Sequence, residues 1–197
     1  MRVKNVKEAF LKVKTSPLIW NEKKVIIHPD INLEIGAGKG KFIIEKALQN
    51  PTKLFVALEK YSSICYRILE KQQQLLLPNL VIINDEARFI FDYFMENSVS
   101  TIYLNFSDPW PRRRDHKKRL TAPFYLELYE QILKMGGKLY LRTDHFNFFR
   151  DSLKYFKNSV FIIKEVLYEA PELTIMSEYE LLKRNNGKKI YQLIVQK

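Results

Sequence analysis

From Ile31 onward the chain alternates short apolar runs with longer segments of helical period, and this alternation constrains the fold more than any single residue does. Ile31 to Ile35, Leu54 to Leu58, Leu80 to Ile83, Ser100 to Phe106 and Lys138 to Arg142 read as strands. Lys39 to Leu48, Ser62 to Leu76, Ala87 to Met95 and Ala122 to Lys134 carry the helical patterns between them. Strands separated by helices of ten or more residues pair in parallel through right-handed crossovers. A last helix is predicted over Phe146 to Phe156, and strands near Val160 to Leu167 and Ile190 to Val195 add a hairpin at the sheet edge. The expected fold is therefore α/β, a doubly wound, mostly parallel sheet of seven strands with helices on both faces. With 197 residues the chain suits a single domain, residues 31–197, behind a basic arm of residues 1–30.

The turn after the first strand, Leu33-Glu34-Ile35-Gly36-Ala37-Gly38-Lys39-Gly40, opens a helix with glycines where backbone must come close to a ligand or to a packed neighbour. A dinucleotide fingerprint needs Gly-x-Gly-x-x-Gly so that a pyrophosphate rests on the helix N-terminus, and here the third glycine falls one residue early. Glu34 adds a sign argument: its carboxylate repels a pyrophosphate and suits a ligand bearing an ammonium and a sulfonium. The plain alternative is a surface residue of a half-buried strand. Glu59 closes the second strand about twenty residues after the glycines, where an acidic side chain conventionally accepts ribose hydroxyls.

The stretch Asn105 to Leu120 reads Asn-Phe-Ser-Asp-Pro-Trp-Pro-Arg-Arg-Arg-Asp-His-Lys-Lys-Arg-Leu. Pro109 and Pro111 cannot donate to a sheet ladder, so the chain leaves the sheet here and presents Asp108 and Trp110 at its rim. A carboxylate, an aromatic plane and six basic residues, Arg112 to Arg119, suit a site that holds a nucleobase by its edge and its backbone by charge. A polar loop with a solvated charge run is the competing reading. Trp110 either stacks on a base or plugs the loop against the core.

Nearly position by position, this loop resembles the signature of the bacterial tRNA (guanine-N(7)-)-methyltransferase family, Asn-Phe-(Pro/Ser)-Asp-Pro-Trp-Pro-Lys-Lys-Arg-His-x-Lys-(Arg/Lys)-Arg-Leu. The turn at Glu34 likewise looks like the (Glu/Asp)-x-Gly-x-Gly-x-Gly of class I methyltransferases. The resemblance implies a Rossmann-like methyltransferase sheet and S-adenosylmethionine as methyl donor, with a guanine 7-nitrogen in the tRNA variable loop as acceptor. It implies cofactor contacts at Glu34, Gly36, Gly38, Gly40, Glu59, Glu86 and Asp108, with Asp108 catalytic. Glu86 aligns with an acidic family residue beside the adenine, and Asp85 next to it leaves the choice of carboxylate open. Arg112 stands where the family has a substrate-contacting lysine and keeps the charge with a forked geometry. Asp144 matches the family's Thr-Asp pair, and a helix N-cap is its other reading. Ser177-Glu178-Tyr179-Glu180 matches a Thr-Glu-Tyr-Glu segment implied to grip the substrate, with Lys183 and Arg184 as a further basic element. Two alternatives stay open: an exocyclic-amine nucleic-acid methyltransferase, whose (Asn/Asp)-Pro-Pro-(Tyr/Phe) motif the loop resembles only loosely, and a non-catalytic basic RNA-binding module on the same fold.

The formal charge of +11 favours a polyanionic partner, here tRNA, although a lysine-rich composition can arise for other reasons. Clustering carries more weight, in Arg112 to Arg119 and in the arm at Arg2, Lys4, Lys7, Lys12 and Lys14. The arm reads equally as an RNA-contacting segment or a solubilising tail. One cysteine, Cys65, excludes an intramolecular disulfide and a cysteine zinc cluster, and the three histidines show no metal-ligand spacing, so no metal is expected. No apolar run approaches a membrane span and the N-terminal residues lack a signal peptide's apolar region, so the expected compartment is the cytoplasm. Oligomeric state, monomer or homodimer, is not encoded in these patterns.

Overall fold

The structure, a computed structural model, describes residues 8–20 and 22–197. In β1 (Ile31–Ile35) and β2 (Leu54–Leu58) every residue is buried, as a parallel strand covered on both faces must be. Period two then sends alternate residues to opposite sides. Phe55 and Ala57 join one apolar cluster with Ile43, Cys65 and Ile68, while Leu54, Val56 and Leu58 join a larger one with Ile102, Leu126, Tyr129, Phe148 and Phe149. The helices over the first cluster are α1 (Ala9–Thr15), α2 (Lys41–Gln49) and α3 (Ser62–Leu75); α4 (Pro123–Ile132) and α5 (Phe146–Lys157) cover the second.

With β3 (Leu80–Ile83), β4 (Val99–Asn105), β5 (Leu133–Thr143), β6 (Ile162–Leu167) and β7 (Tyr191–Gln196), the seven strands run in the order β3-β2-β1-β4-β5-β7-β6. β1 to β5 are parallel, and β7 pairs antiparallel with both β5 and β6. The chain steps outward from β1 to β3 and then returns to lay β4 on the other side of β1. The strand order reverses between β1 and β4, and the carboxyl ends of these two strands open a crevice there.

Three local departures from the expected elements have physical causes. Residues predicted as a helix over Ala87 to Met95 form a 3₁₀ segment, Ala87–Asp92, interrupted at Phe89. Ala87, Ile90 and Tyr93 are buried at a spacing of three, which suits a three-residue turn better than an α-helical stripe. The helix expected to reach Lys134 stops at Ile132, because Leu133 already pairs with Val99 as the start of β5. Glu178–Asn185 is a further helix, α6, where the sequence reading placed none.

From Glu8 the arm lies along the domain. Ala9 and Val13 are buried in α1, Ile19 bridges Ile82 beside β3, and the Ile26 amide donates to the Tyr93 carbonyl at 2.8 Å. Arg2, Lys4 and Lys7 lie outside the described residues. Among the described residues, no helix is long and apolar enough to cross a membrane.

Gly40 begins α2 at φ +78°, and a Cβ there would stand 3.0 Å from both Ile68 Cγ1 and Ile68 Cγ2. Backbone strain and overpacking add, so Gly40→Ala is expected to lower stability by about 1–3 kcal/mol in urea denaturation; an unchanged midpoint would show that α2 and α3 separate at no cost.

Candidate active site

The crevice is a cavity of about 440 Å³, well within the range of small-molecule sites. At its floor Glu34 is only 2 % exposed. Asn105, from the end of β4, donates its Nδ2 to Glu34 Oε1 at 2.9 Å, while Glu34 Oε2 has no hydrogen-bond partner among the described residues. Burial pushes the Glu34 carboxyl up to about 8, against the opposing pull of Asn105 and the Ile43 backbone and with a further push from the charge of Glu59. Glu59, also buried, accepts the Gly38 amide on Oε2 and the Tyr61 amide on Oε1, both at 3.0 Å. Its carboxyl is raised by burial, a push that these two amides and Lys60 oppose. Gly38 holds φ +59°, a conformation that favours glycine, as its N–H reaches across the loop to Glu59.

The mouth is formed by the loop after β4. Phe106 at φ +53° and Trp110 at φ +39° hold left-handed conformations that cost energy for residues with a Cβ, and they bracket Asp108. The Phe106 amide is tied to the Arg142 carbonyl at 2.8 Å. Asp108 is exposed on the cavity wall. Trp110 lines the cavity and is not part of either apolar cluster; Lys118 Nζ lies 4.8 Å and Lys60 Nζ 5.9 Å from its ring centre. Ser107 Oγ is a second buried cavity-wall atom with no hydrogen-bond partner among the described residues.

The basic run divides. Arg112, Arg113, Arg114 and Lys117 are exposed on or beside the 3₁₀ segment Arg113–Lys118, and Lys118 pairs with Asp115 at 2.7 Å. Arg119, read with them as a candidate phosphate contact, is 1 % exposed and faces inward, so that expectation fails: its guanidinium is occupied by protein acceptors. Arg112, for its part, is not among the cavity-lining residues.

The opposite wall is the N-terminus of α6. Ser177 caps the helix, its Oγ accepting the Glu180 amide at 3.1 Å. Ser177, Glu178 and Tyr179 line the cavity. Glu178 reaches Lys39 at 3.5 Å and Lys71 at 3.6 Å. Glu180 points the other way, 2 % exposed, and takes a two-pronged contact from Arg142 Nε at 3.0 Å and Nη2 at 2.6 Å, with Arg184 beside it. The substrate-gripping role expected of Glu180 is thus replaced by anchoring α6 to β5. Asp144 lines the cavity and pairs with Lys183 at 2.7 Å; the cap of α5 is His145, whose Nδ1 accepts the Phe148 amide. Asp85 is engaged on both oxygens, by the Glu86 amide and the Tyr93 hydroxyl, each at 2.8 Å. Glu86 pairs with Arg88 on its own segment at 2.5 Å, and both Asp85 and Glu86 line the cavity. Lys118, from the basic run, lines the cavity, and so do Lys60, Tyr61 and His145, whose local pattern does not distinguish them from surface residues. Among the described residues, no group of three or more His, Cys, Asp or Glu is placed to hold a metal ion.

Glu34 makes stability depend on pH in a definite direction. Between its ordinary value of 4.5 and about 8 the folded chain keeps a proton that the unfolded chain releases, so stability falls as pH rises through this window. Glu34→Gln is expected to remove that decline. Urea denaturation of both proteins at intervals from pH 4.5 to 8 checks it, and parallel curves would mean that Glu34 is ionised in the folded protein.

Residues 29–193 match a family described as putative methyltransferase. Among curated proteins the chain is similar to the tRNA (guanine-N(7)-)-methyltransferase of Geobacillus sp. (strain WCH70), 40 % identical over 177 residues, covering 88 % of this chain and 80 % of that protein. It is also 38 % identical over 184 residues to the protein of that name from Malacoplasma penetrans (strain HF-2), covering 90 % and 84 %. Solved structures share the fold at low identity. The 16S rRNA methyltransferase KamB gives a TM-score of 0.67 at 17 % identity over 85 % of this chain and 87 % of that one. A SAM-dependent methyltransferase from Aquifex aeolicus gives 0.61 at 13 % identity over 95 % and 88 %. With its glycine turn, its paired carboxylates and its Asp-Pro-Trp-Pro loop brought to one crevice, the chain belongs to the tRNA (guanine-N(7)-)-methyltransferase family.

Proposed function

We propose that this chain transfers a methyl group from S-adenosylmethionine to the 7-nitrogen of a guanine in the tRNA variable loop, in the cytoplasm. The observation that carries the reading is that Glu34 and Asp108 stand on the walls of one cavity, one buried with an unpartnered oxygen and the other exposed at the mouth. The residues present fit the donor. Glu34 Oε2 lacks a partner that an ammonium supplies, Glu59 has acceptor capacity left for ribose hydroxyls after its two amide bonds, and Glu86 can turn to an adenine amine. When bound, the donor supplies an electrophilic methyl group on a sulfonium.

The 7-nitrogen of guanine has a lone pair and no proton, so no side chain need act as base, and in-line proximity is the main requirement. Transfer leaves positive charge on the guanine ring. Asp108 beside that ring stabilises the charge as it develops and accepts hydrogen bonds from the base edge. Trp110 offers a stacking face, and Asp144 and Tyr179 complete the wall against which the base is held. Arg112, Arg113, Arg114 and Lys117 face solvent beside the mouth, suited to the phosphates on either side of the base.

Incubation with labelled donor and bulk tRNA, followed by nucleoside analysis, should yield 7-methylguanosine; methylation at an exocyclic amine would overturn the reading. Asp108→Asn keeps shape and removes charge, and should slow single-turnover transfer at saturating substrates on the order of 100-fold. Transfer at the wild-type rate would take the carboxylate out of the chemistry. Neutralising Arg113, Arg114 and Lys117 together should weaken tRNA binding and flatten its salt dependence by about 0.7–0.9 per lost phosphate contact while donor affinity holds. An unaltered salt slope would make the run a solvated surface.

A further inference from the structure

The loop that carries Asp108 is held from behind by one side chain. Arg119 Nε donates to the Pro109 carbonyl at 2.7 Å and Nη2 to the Trp110 carbonyl at 3.3 Å, fixing the peptides on either side of Trp110. Nη2 also meets His116 Nε2 at 2.9 Å, which requires that ring nitrogen to be the unprotonated acceptor, and so closes the 3₁₀ segment onto the same guanidinium. Nη1 donates to Asp151 Oδ2 on α5 at 2.9 Å, and the guanidinium lies 5.5 Å from the Phe148 ring centre on that helix. The side chain is 1 % exposed, so an RNA phosphate cannot reach it. Nε and Nη2 of the planar fork thus serve Pro109, Trp110 and His116, while Nη1 serves the helix carboxylate. A lysine cannot reproduce that geometry.

One of the residues so gripped is strained: Trp110 sits at φ +39°, a conformation that persists only when its surroundings over-determine it. We propose that Arg119, backed by Asp151, is a positioning residue for methyl transfer: it holds the Pro109 and Trp110 carbonyls, and through them sets Asp108 and the Trp110 ring at the cavity mouth. This inference rests on the methyltransferase reading. It gives the last arginine of the basic run a role different from its neighbours, acting on the rate of transfer with little effect on the affinity for tRNA or donor.

The test compares Arg119→Lys and Asp151→Asn with Thr121→Val. Thr121 Oγ1 and Ser152 Oγ, 2.7 Å apart, lie in the same seam between loop and α5 without touching either carbonyl. Displacement of reacting groups by about 1 Å costs on the order of 100-fold, so single-turnover transfer at saturating tRNA and donor should fall by that order in Arg119→Lys and Asp151→Asn. The donor dissociation constant and the tRNA KM should stay within about three-fold, a small change on the same logarithmic scale. Thr121→Val should lower thermal stability and leave the rate near wild type. If either of the first two variants fails to fold, Asp151→Glu, which keeps the charge and lengthens the arm, takes its place with an intermediate loss of rate. Trp110 and Trp20 are the only tryptophans in the sequence, so a Trp20→Phe background makes emission a report on the loop alone, whether or not tRNA is the substrate. A shifted Trp110 emission in Arg119→Lys is expected there. Wild-type transfer in a folded variant, equal loss of rate in Thr121→Val, or unchanged Trp110 emission overturns the proposal; a wild-type enzyme that makes no 7-methylguanosine instead overturns the reading beneath it.

Discussion

The hydrogen bond from Asn105 to Glu34 joins β4 to β1 where the strand order reverses, and the cavity is organised around it. A carboxyl at the floor of an apolar sheet is unfavourable to bury as an anion, and the opposing pull of Asn105 and the Ile43 backbone does not compensate it, which is why it is pushed up to about 8. The folded chain carries this unfavourable element because the crevice between the two strands is where two loops meet. The glycine turn leaves β1 one or two residues after Glu34, and the Asp108 loop leaves β4 directly after Asn105. A cationic ligand that satisfies Glu34 therefore completes a polar contact left incomplete by folding, and the interaction stabilises the complex more than it would at an exposed carboxylate.

Guanidinium groups hold the two outer walls. Arg142 reaches from β5 to Glu180 and to the Gln192 side chain and the Pro171 carbonyl, locking α6 and the preceding segment against the sheet. Arg119 does the same for the loop opposite. Both are nearly inaccessible, and each is paired with a carboxylate from another element, so they are cations that the formal charge counts but the surface does not present. What the molecule offers a polyanion is the remaining exposed set around Arg112 to Lys117, together with lysines distributed elsewhere.

The sequence reveals what is local. The strands β1 to β3, the glycine turn and Glu59 all follow from period, spacing and charge within a few residues of each other, and the structure has them there. Residues whose role depends on a partner far along the chain were not legible. Arg119 looked like its neighbours because its acceptors at Pro109 and Trp110 are backbone groups and its carboxylate lies 32 residues away. Glu180 looked like part of a binding motif because its partner Arg142 is 38 residues distant. The short helix α6 escaped because only Glu180 is buried in it, leaving no apolar stripe to read. Trp110 was ambiguous for a similar reason, since an indole after a proline suits a core or a pocket until the neighbouring cations are in place.

The antiparallel strand between β5 and β6 has a consequence for how such a molecule is made. Among the described residues β6 has no hydrogen-bonded neighbour strand other than β7, which comes after it in the chain. During synthesis the parallel half of the sheet can assemble as it emerges, but residues 162–167 must wait, with an unpaired strand edge, until residues 191–196 arrive. The α6 wall of the crevice lies in the chain between these two strands. A nascent chain can thus carry Glu34, Glu59 and Asp108 on an assembled platform while lacking the side that closes over them, so the cavity walls mature in an order set by translation.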